Sequence, residues 1–236
     1  MLNDIDFVLP CYNPPPDFVG TVDLHFRKLK DFYPDRRINL IVVNDGSTRN
    51  FTSLQINQLR SLHETIKIIF YSPNKGKGYA LRKAIADSSS PLVVYTDYDF
   101  PYSLETITEI IGELDKGVDI VLVSRNYDYS QMLSVTRKFF SWLSKRLNRT
   151  VLKMKHFETQ GGLKGFNLKG KEIFMSTTIN GFLFDTEFVY KASLQKDISI
   201  VSIKGIIRKE IKLSRITIRS MINELINFYR IAKIKA

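Results

Sequence analysis

Two aspartates two residues apart, Asp97 and Asp99, follow the apolar run Leu92–Tyr95. Such a run reads as a short buried strand. Carboxylates at i and i+2 past a strand end can converge on one divalent cation and on the phosphates it neutralises; the alternative is two solvated loop acids. A second run, Ile38–Val43, ends in Asn44-Asp45-Gly46-Ser47. A carboxylate at Asp45 can accept hydrogen bonds from a ribose or a base, or the stretch can cap a helix. Gly46 lets the backbone turn where a side chain would collide with a ligand. Asn74-Lys75-Gly76-Lys77-Gly78 opens a helical pattern and has the makings of an anion cradle: glycine-rich amides, a helix N-terminus and two lysines. It lacks the length and the Lys-Ser/Thr ending of a P-loop, so nucleotide triphosphate hydrolysis is not indicated. Pro10-Cys11-Tyr12-Asn13 forms a close turn after the first strand. Arg125 follows another strand, and Arg137, Ser141 and Lys145 fall at i, i+4 and i+8 on one helix face. Guanidinium groups grip phosphate through planar, multidentate hydrogen bonds, and a loop plus one helical face can supply two of them.

The elements that must hold these residues alternate. Strands are expected at Ile5–Leu9, Ile38–Val43, Ile66–Tyr71, Leu92–Tyr95 and Asp119–Val123. Helices are expected between them at 17–32, 53–63, 78–87 and 103–116, the last capped by Ser103. This order implies a doubly wound, mostly parallel α/β sheet, in which ligands bind beyond the carboxyl ends of the strands. Asn13, Asp45, Asn74, Asp97 and Arg125 all fall there. Further on, the spacing predicts a basic helix over 134–148, a Gly-rich stretch over 159–167 carrying Lys164, helices over 171–176 and 184–195, and a strand over 198–203. An amphipathic helix closes the chain from Thr217 to Ile234. The expected division is a catalytic domain over 1–202 and a basic helical extension over 203–236.

Composition is that of a globular protein, with 44% hydrophobic and 25% charged residues in 236. A single cysteine, Cys11, permits no intramolecular disulfide and fits a small buried residue in a reducing compartment. No basic leader opens the chain and no apolar run approaches the length of a membrane span. The expectation is a cytoplasmic protein, peripheral on the inner face of the membrane if its last helix binds lipid. The formal charge is +11, of which +7 lies between Ile203 and Ala236, so an anionic partner is expected. Nucleic acid is not that partner, because no recognition motif or stacking platform appears and the acidic pair would repel a phosphate backbone. His25, His63 and His156 lack the spacing of zinc ligands. Trp142 is expected to pack.

Taken in order, Pro10-Cys11-Tyr12-Asn13, Asn44-Asp45-Gly46-Ser47, Asn74-Lys75-Gly76-Lys77-Gly78 and Asp97-Tyr98-Asp99 resemble the GT-A glycosyltransferases of family 2. Val123-Ser124-Arg125-Asn126, Arg137 with Ser141, Thr159-Gln160-Gly161-Gly162-Leu163-Lys164-Gly165-Phe166 and Phe184-Asp185-Thr186-Glu187 look like those of the polyprenyl- and dolichyl-phosphate sugar synthases, leaning to the glucosyl branch. The resemblance runs from about Ile5 to the C-terminus. It implies a Rossmann-like GT-A sheet and a nucleotide-sugar donor (UDP or GDP) bound by Pro10, Tyr12, Asn13 and Asp45. It further implies Mg²⁺ or Mn²⁺ on Asp97 and Asp99, Lys164 against a donor phosphate, and a polyprenyl-phosphate acceptor gripped by Arg125, Arg137 and Ser141; Lys75, from the cradle, is the further candidate for binding the donor. Pro14, Asn44 and Pro101 depart from the family pattern, the last where the mannosyl branch carries a third metal ligand.

The expected reaction is transfer of one sugar with inversion. A phosphate oxygen acceptor, mostly ionised at neutral pH, needs little help from a base. If the acceptor is instead a glycan hydroxyl, as in cell-surface polysaccharide synthesis, a carboxylate must serve, and Glu158, Asp185 or Glu187 is the candidate. The C-terminal helix is read either as an interfacial helix on an anionic leaflet or as a packing element against the domain or a second subunit.

Overall fold

The computed structural model describes residues 4–125, 135–208 and 218–234; the side chains of 125, 135–137, 140 and 218–223 also lie outside the described residues. Seven strands among these, β1 (Ile5–Cys11), β2 (Ile38–Asp45), β3 (Ile66–Tyr71), β4 (Leu92–Tyr95), β5 (Ile120–Arg125), β6 (Lys164–Phe166) and β7 (Ile200–Gly205), form one sheet. Its order is β3-β2-β1-β4-β6-β5-β7. All pairs are parallel except those of β6, which runs antiparallel between β4 and β5. Every residue of β1 and β4 is buried, as a parallel strand covered on both faces requires.

The two faces are filled by separate apolar sets. Phe7 and Leu9 of β1 point toward α1 (Phe18–Phe32), α2 (Ser53–Leu62) and α4 (Leu104–Asp115), where Val22, Phe26, Leu59 and Ile110 are buried. Val8 and Tyr95 point the other way, toward α3 (Lys77–Ala86), α6 (Leu168–Met175) and α7 (Phe184–Ser193), with Leu81, Phe174 and Phe188. The basic helix α5 spans Val135–Thr150. Ser103 caps α4, its hydroxyl accepting from the Thr106 amide. Neighbouring strands wind in opposite senses from β1 and β4, so a crevice opens beyond the ends of these two strands. Tyr12 and Asn13 leave one of them, Asp97 and Asp99 the other.

Expected helix and strand limits agree with those observed to within two residues, apart from the helix over 171–176, which begins at Leu168 instead. The strand β7 crosses the boundary drawn at residue 202, and Gly205 pairs with Arg125 of β5. Of the last helix, α8 (Ile218–Ala232), Ile231 is buried in the second apolar set and Glu224 accepts hydrogen bonds from the amides of Phe182 (2.9 Å) and Leu183 (3.0 Å). Leu225, Ile226 and Tyr229 stay exposed on it. Trp142 does not pack as expected; it is 54% exposed on α5. Among the described residues no helix is long and apolar enough to cross a membrane.

Candidate active site

The Asp97–Phe100 turn is fixed from several sides. The Phe100 amide donates to the Asp97 carbonyl (3.0 Å), and Phe100 adopts φ +45°. A left-handed aromatic residue costs on the order of 1–3 kcal/mol and persists only where its surroundings over-determine it. Here the ring is fully buried and stacked on His25 at 5.2 Å. Arg208, just past β7, donates to the carbonyls of Asp99 (2.5 Å) and Phe100 (2.8 Å). The turn therefore presents both carboxylates on a rigid support.

Burial, followed by the adjacent Asp97, pushes the Asp99 carboxyl up to about 6, against the pull of Arg208 and Lys77. Lys77, the first residue of α3, reaches Asp97 Oδ1 at 2.6 Å. A Cβ on Gly162 would stand 2.8 Å from Asp97 Oδ2, so glycine keeps that side of the carboxylate clear. Among the described residues no group of three or more His, Cys, Asp or Glu gathers for a metal. Two neighbouring carboxylates, one of them raised by burial and by the other's charge, with an open flank fit a hard divalent cation that keeps several waters, as Mg²⁺ does.

Asp45 is buried and fully engaged. Its Oδ1 accepts from the Tyr71 hydroxyl (2.8 Å) and the Lys75 amide (2.7 Å), and its Oδ2 from the Asn74 side chain (2.8 Å) and the Gly76 amide (3.0 Å). Gly46, at φ +66°, packs so closely on this loop that a Cβ would lie 2.4 Å from the Asn74 nitrogen. Asp45 thus shapes the turn that delivers α3 and Lys77. Asn13, at φ +45°, ties the β1 turn to the β2 turn, accepting from the amides of Thr48 (2.8 Å) and Arg49 (3.1 Å). Asn44, standing for the family's usual aspartate, accepts from the Ser47 amide at 2.8 Å. Pro10 and Pro14 are buried, whereas Tyr12 is exposed at the crevice. An open cleft of about 480 Å³ lies beside the ends of β2 and β3, lined by Asn44, Gly46, Ser47, Phe51 and Tyr71.

The two lysines of the Asn74–Gly78 stretch separate. Lys75 is exposed over the rings of Tyr79 (4.6 Å) and Tyr71 (5.8 Å), while Lys77 meets the acidic pair. Lys164 takes a different place from the one expected. Its side chain is 1% exposed and its ammonium binds Asp185 (2.8 Å) and the Gly161 carbonyl (2.6 Å), with the Tyr95 hydroxyl also on Asp185. A buried ammonium without such partners would be too costly to keep charged, so Lys164 forms the floor beneath Gly161 and Gly162 rather than the open face.

The three candidate bases are likewise engaged. Asp185 is buried on Lys164, and Glu187 accepts from the amides of Thr178 (2.9 Å) and Ile179 (2.8 Å). Glu158 pairs with Lys145 at 2.9 Å. Ser141 and Lys145 of α5 line a shallow recess with Phe157, Glu158 and Gln160. The side chains of Arg125 and Arg137 lie outside the described residues. The sequence places Lys77 in the cradle but not at the acidic pair, and gives Gly162 and Arg208 no part in the site. Lys77 sat in the cradle motif and was obscured only by the choice of its neighbour.

The open α/β sheet, with an acidic pair and a lysine-led helix at its switch point, is of the GT-A kind. The model of glycosyl transferase family 2 matches residues 6–175, and the chain belongs to that family of sugar-transferring enzymes. It is 26% identical over 114 residues to an N-acetylglucosaminyltransferase of Bradyrhizobium elkanii, covering 48% of the chain and 61% of that protein. It is 26% identical to the dolichyl-phosphate beta-glucosyltransferase of Saccharomyces cerevisiae, covering 48% of the chain and only 34% of the relative. A dolichyl-phosphate beta-glucosyltransferase of Trichomonas vaginalis is 24% identical across 96% of the chain and 70% of its own length. The fold is shared with the glucosyl-3-phosphoglycerate synthase of Mycobacterium tuberculosis crystallised with Mn²⁺, UDP and phosphoglyceric acid (TM-score 0.61, 16% identity, 99% of this chain and 80% of that one). It is also shared with the mannosyl-3-phosphoglycerate synthase of Rubrobacter xylanophilus (TM-score 0.66, 16% identity, 98% and 73%).

Proposed function

We propose that the protein moves one hexose, with inversion, from a UDP- or GDP-sugar to a polyprenyl phosphate, with Mg²⁺ or Mn²⁺ held by Asp97 and Asp99. The observation that carries the acceptor class is the state of the carboxylates. Glu158, Asp185 and Glu187 are each tied to internal partners, so none of these three stands ready as a base for a hydroxyl. A phosphate oxygen attacks without one. The dolichyl-phosphate relatives support the same reading.

When bound, the cation supplies neutralisation of the charge that develops on the departing diphosphate. The chain's own residues do the rest. The Asp45 carboxylate orders the Lys75 and Gly76 amides, and the N-terminus of α3 with Lys77 turns positive charge toward the diphosphate. Tyr12 offers an exposed ring to the nucleoside, beside Pro10 and Asn13. Arg125, Arg137 and Ser141 grip the acceptor phosphate, orienting one oxygen toward the anomeric carbon as the bond to the leaving diphosphate breaks. Lys164, paired with Asp185, holds the Gly161 carbonyl and so fixes the loop that carries Gly162 beside Asp97.

The test is transfer from labelled UDP- and GDP-sugars to polyprenyl phosphate, phosphoglycerate and an oligosaccharide, each with and without Mn²⁺. Metal-dependent labelling of polyprenyl phosphate alone is the expected result. Labelling of the oligosaccharide alone would overturn the acceptor class and favour a transferase acting on glycan hydroxyls.

A further inference from the structure

We infer that the outer face of α5 is a membrane-docking surface that rests on an anionic phospholipid leaflet and holds Ser141 near headgroup level. The surface builds on the lipid-phosphate reading of the acceptor and adds a contact distinct from α8. Residues 135–155 contain seven Lys or Arg and no Asp or Glu. At roughly 100° per residue, Lys138, Phe139, Trp142, Arg146 and Arg149 fall in one sector of the helix. Phe139 and Trp142 are each 54% exposed, with ring centroids 6.0 Å apart. The Arg146 guanidinium lies 5.6 Å from the Trp142 ring and that of Arg149 4.0 Å from the Phe157 ring. Exposed Val151 continues the apolar strip beyond the helix.

The inner side of α5 is fixed independently. Asn148 is fully buried and donates to the Phe157 carbonyl (2.9 Å) and the Thr159 hydroxyl (3.3 Å). The aromatic face is therefore held outward by anchoring on the opposite side. A tryptophan among arginines suits the boundary between headgroups and acyl chains, and the uninterrupted positive charge selects an anionic leaflet. Ser141 sits on the flank of this sector, lining the recess beside Glu158. A helix lying on the leaflet would thus bring the acceptor grip to the depth at which a polyprenyl phosphate carries its charge.

Trp142 is the only tryptophan in the chain, so its emission reports this face directly. The full chain is titrated with phosphatidylcholine vesicles, with mixed phosphatidylcholine–phosphatidylglycerol vesicles, and with the mixed vesicles carrying brominated acyl chains. The expected result is a blue shift and bromine quenching with the mixed vesicles, absent with phosphatidylcholine alone and reversed by salt. The double variant Arg146→Glu/Arg149→Glu should weaken vesicle binding at least about tenfold while keeping the melting temperature. Trp142 emission indifferent to anionic vesicles, even where the chain co-sediments with them, would overturn the proposal. So would a response to single-stranded RNA but not to vesicles. None of these measurements reads turnover, so a vesicle response without transfer to polyprenyl phosphate would uphold the surface and count against the acceptor class alone.

Discussion

Lys77 Nζ lies 2.6 Å from Asp97 Oδ1, joining the first residue of α3 to the acid that leaves β4. The contact crosses the switch point of the sheet, and both partners keep solvent access. It places one positive charge beside the acidic pair, with Arg208 acting on Asp99 as a second. A cation on the carboxylates would release this ammonium toward the phosphates that the cation brings. Lys77→Met is therefore expected to weaken nucleoside diphosphate binding in the presence of Mn²⁺ by about tenfold or more, a loss of roughly 1.4 kcal/mol. Lys75→Met, removing a lysine that sits over tyrosine rings, should cost less. Calorimetric titration of both variants checks the order, and a larger effect at Lys75 would contradict it.

Asp45 joins four donors while almost fully buried. Asp45→Ala leaves the Lys75 and Gly76 amides without their acceptor and should destabilise the fold by roughly 2–4 kcal/mol. Chemical denaturation measures this directly. A variant as stable as the parent would remove Asp45 from its role as organiser of the loop.

Gly162→Ala tests the cleared flank of Asp97. The added methyl would stand 2.8 Å from Oδ2, and the carboxylate must turn away to admit it. Mn²⁺ affinity is expected to fall while the melting temperature without metal changes little. Unchanged affinity would mean that this side of Asp97 does not face the cation.

The raised Asp99 carboxyl sets a pH dependence with a definite sign. Its folded value, about 6, lies above the ordinary 3.8, so the folded chain takes up a proton that the unfolded chain does not in the window between them. Without metal, this group's contribution to stability is lost as pH rises through about 6. Metal binding runs the opposite way, because protonation removes a ligand charge. Mn²⁺ affinity should drop as pH is lowered from about 7 to about 5, approaching tenfold per unit below the titration point. A flat affinity over that range would place Asp99 outside the metal site.

Much of the scaffold is visible in residue order, because buried parallel strands leave short apolar runs and the acids and glycines follow them directly. The strand β6 is not visible. It is three residues long with Gly165 at its centre, and only pairing to Tyr95 and Leu122 on its two sides makes it a strand. That pairing also buries Lys164, whose fate depends on Asp185, a residue on a distant helix. Arg208 is hidden for another reason: it is one of nine Lys or Arg from Ile203 onward, and no local feature separates it from the rest. Lys77 rather than Lys75 faces the acids because Gly76, at φ +97°, turns the chain immediately before α3 begins. The exposure of Trp142 follows from the burial of Asn148, a polar anchor that apolar periodicity does not reveal.

Binding of a nucleoside diphosphate by Asp97 and Asp99 through a divalent cation underlies the proposed transfer. The most direct measurement is the melting temperature of the protein and of Asp97→Asn with UDP or GDP, each with and without Mn²⁺, since a ligand of the native state raises it. A rise is expected for the parent chain only when nucleotide and Mn²⁺ are present together, and none for the variant, whose own melting temperature stays near that of the parent. A rise with nucleotide alone that Mn²⁺ does not enlarge, or an undiminished response in Asp97→Asn, would contradict it.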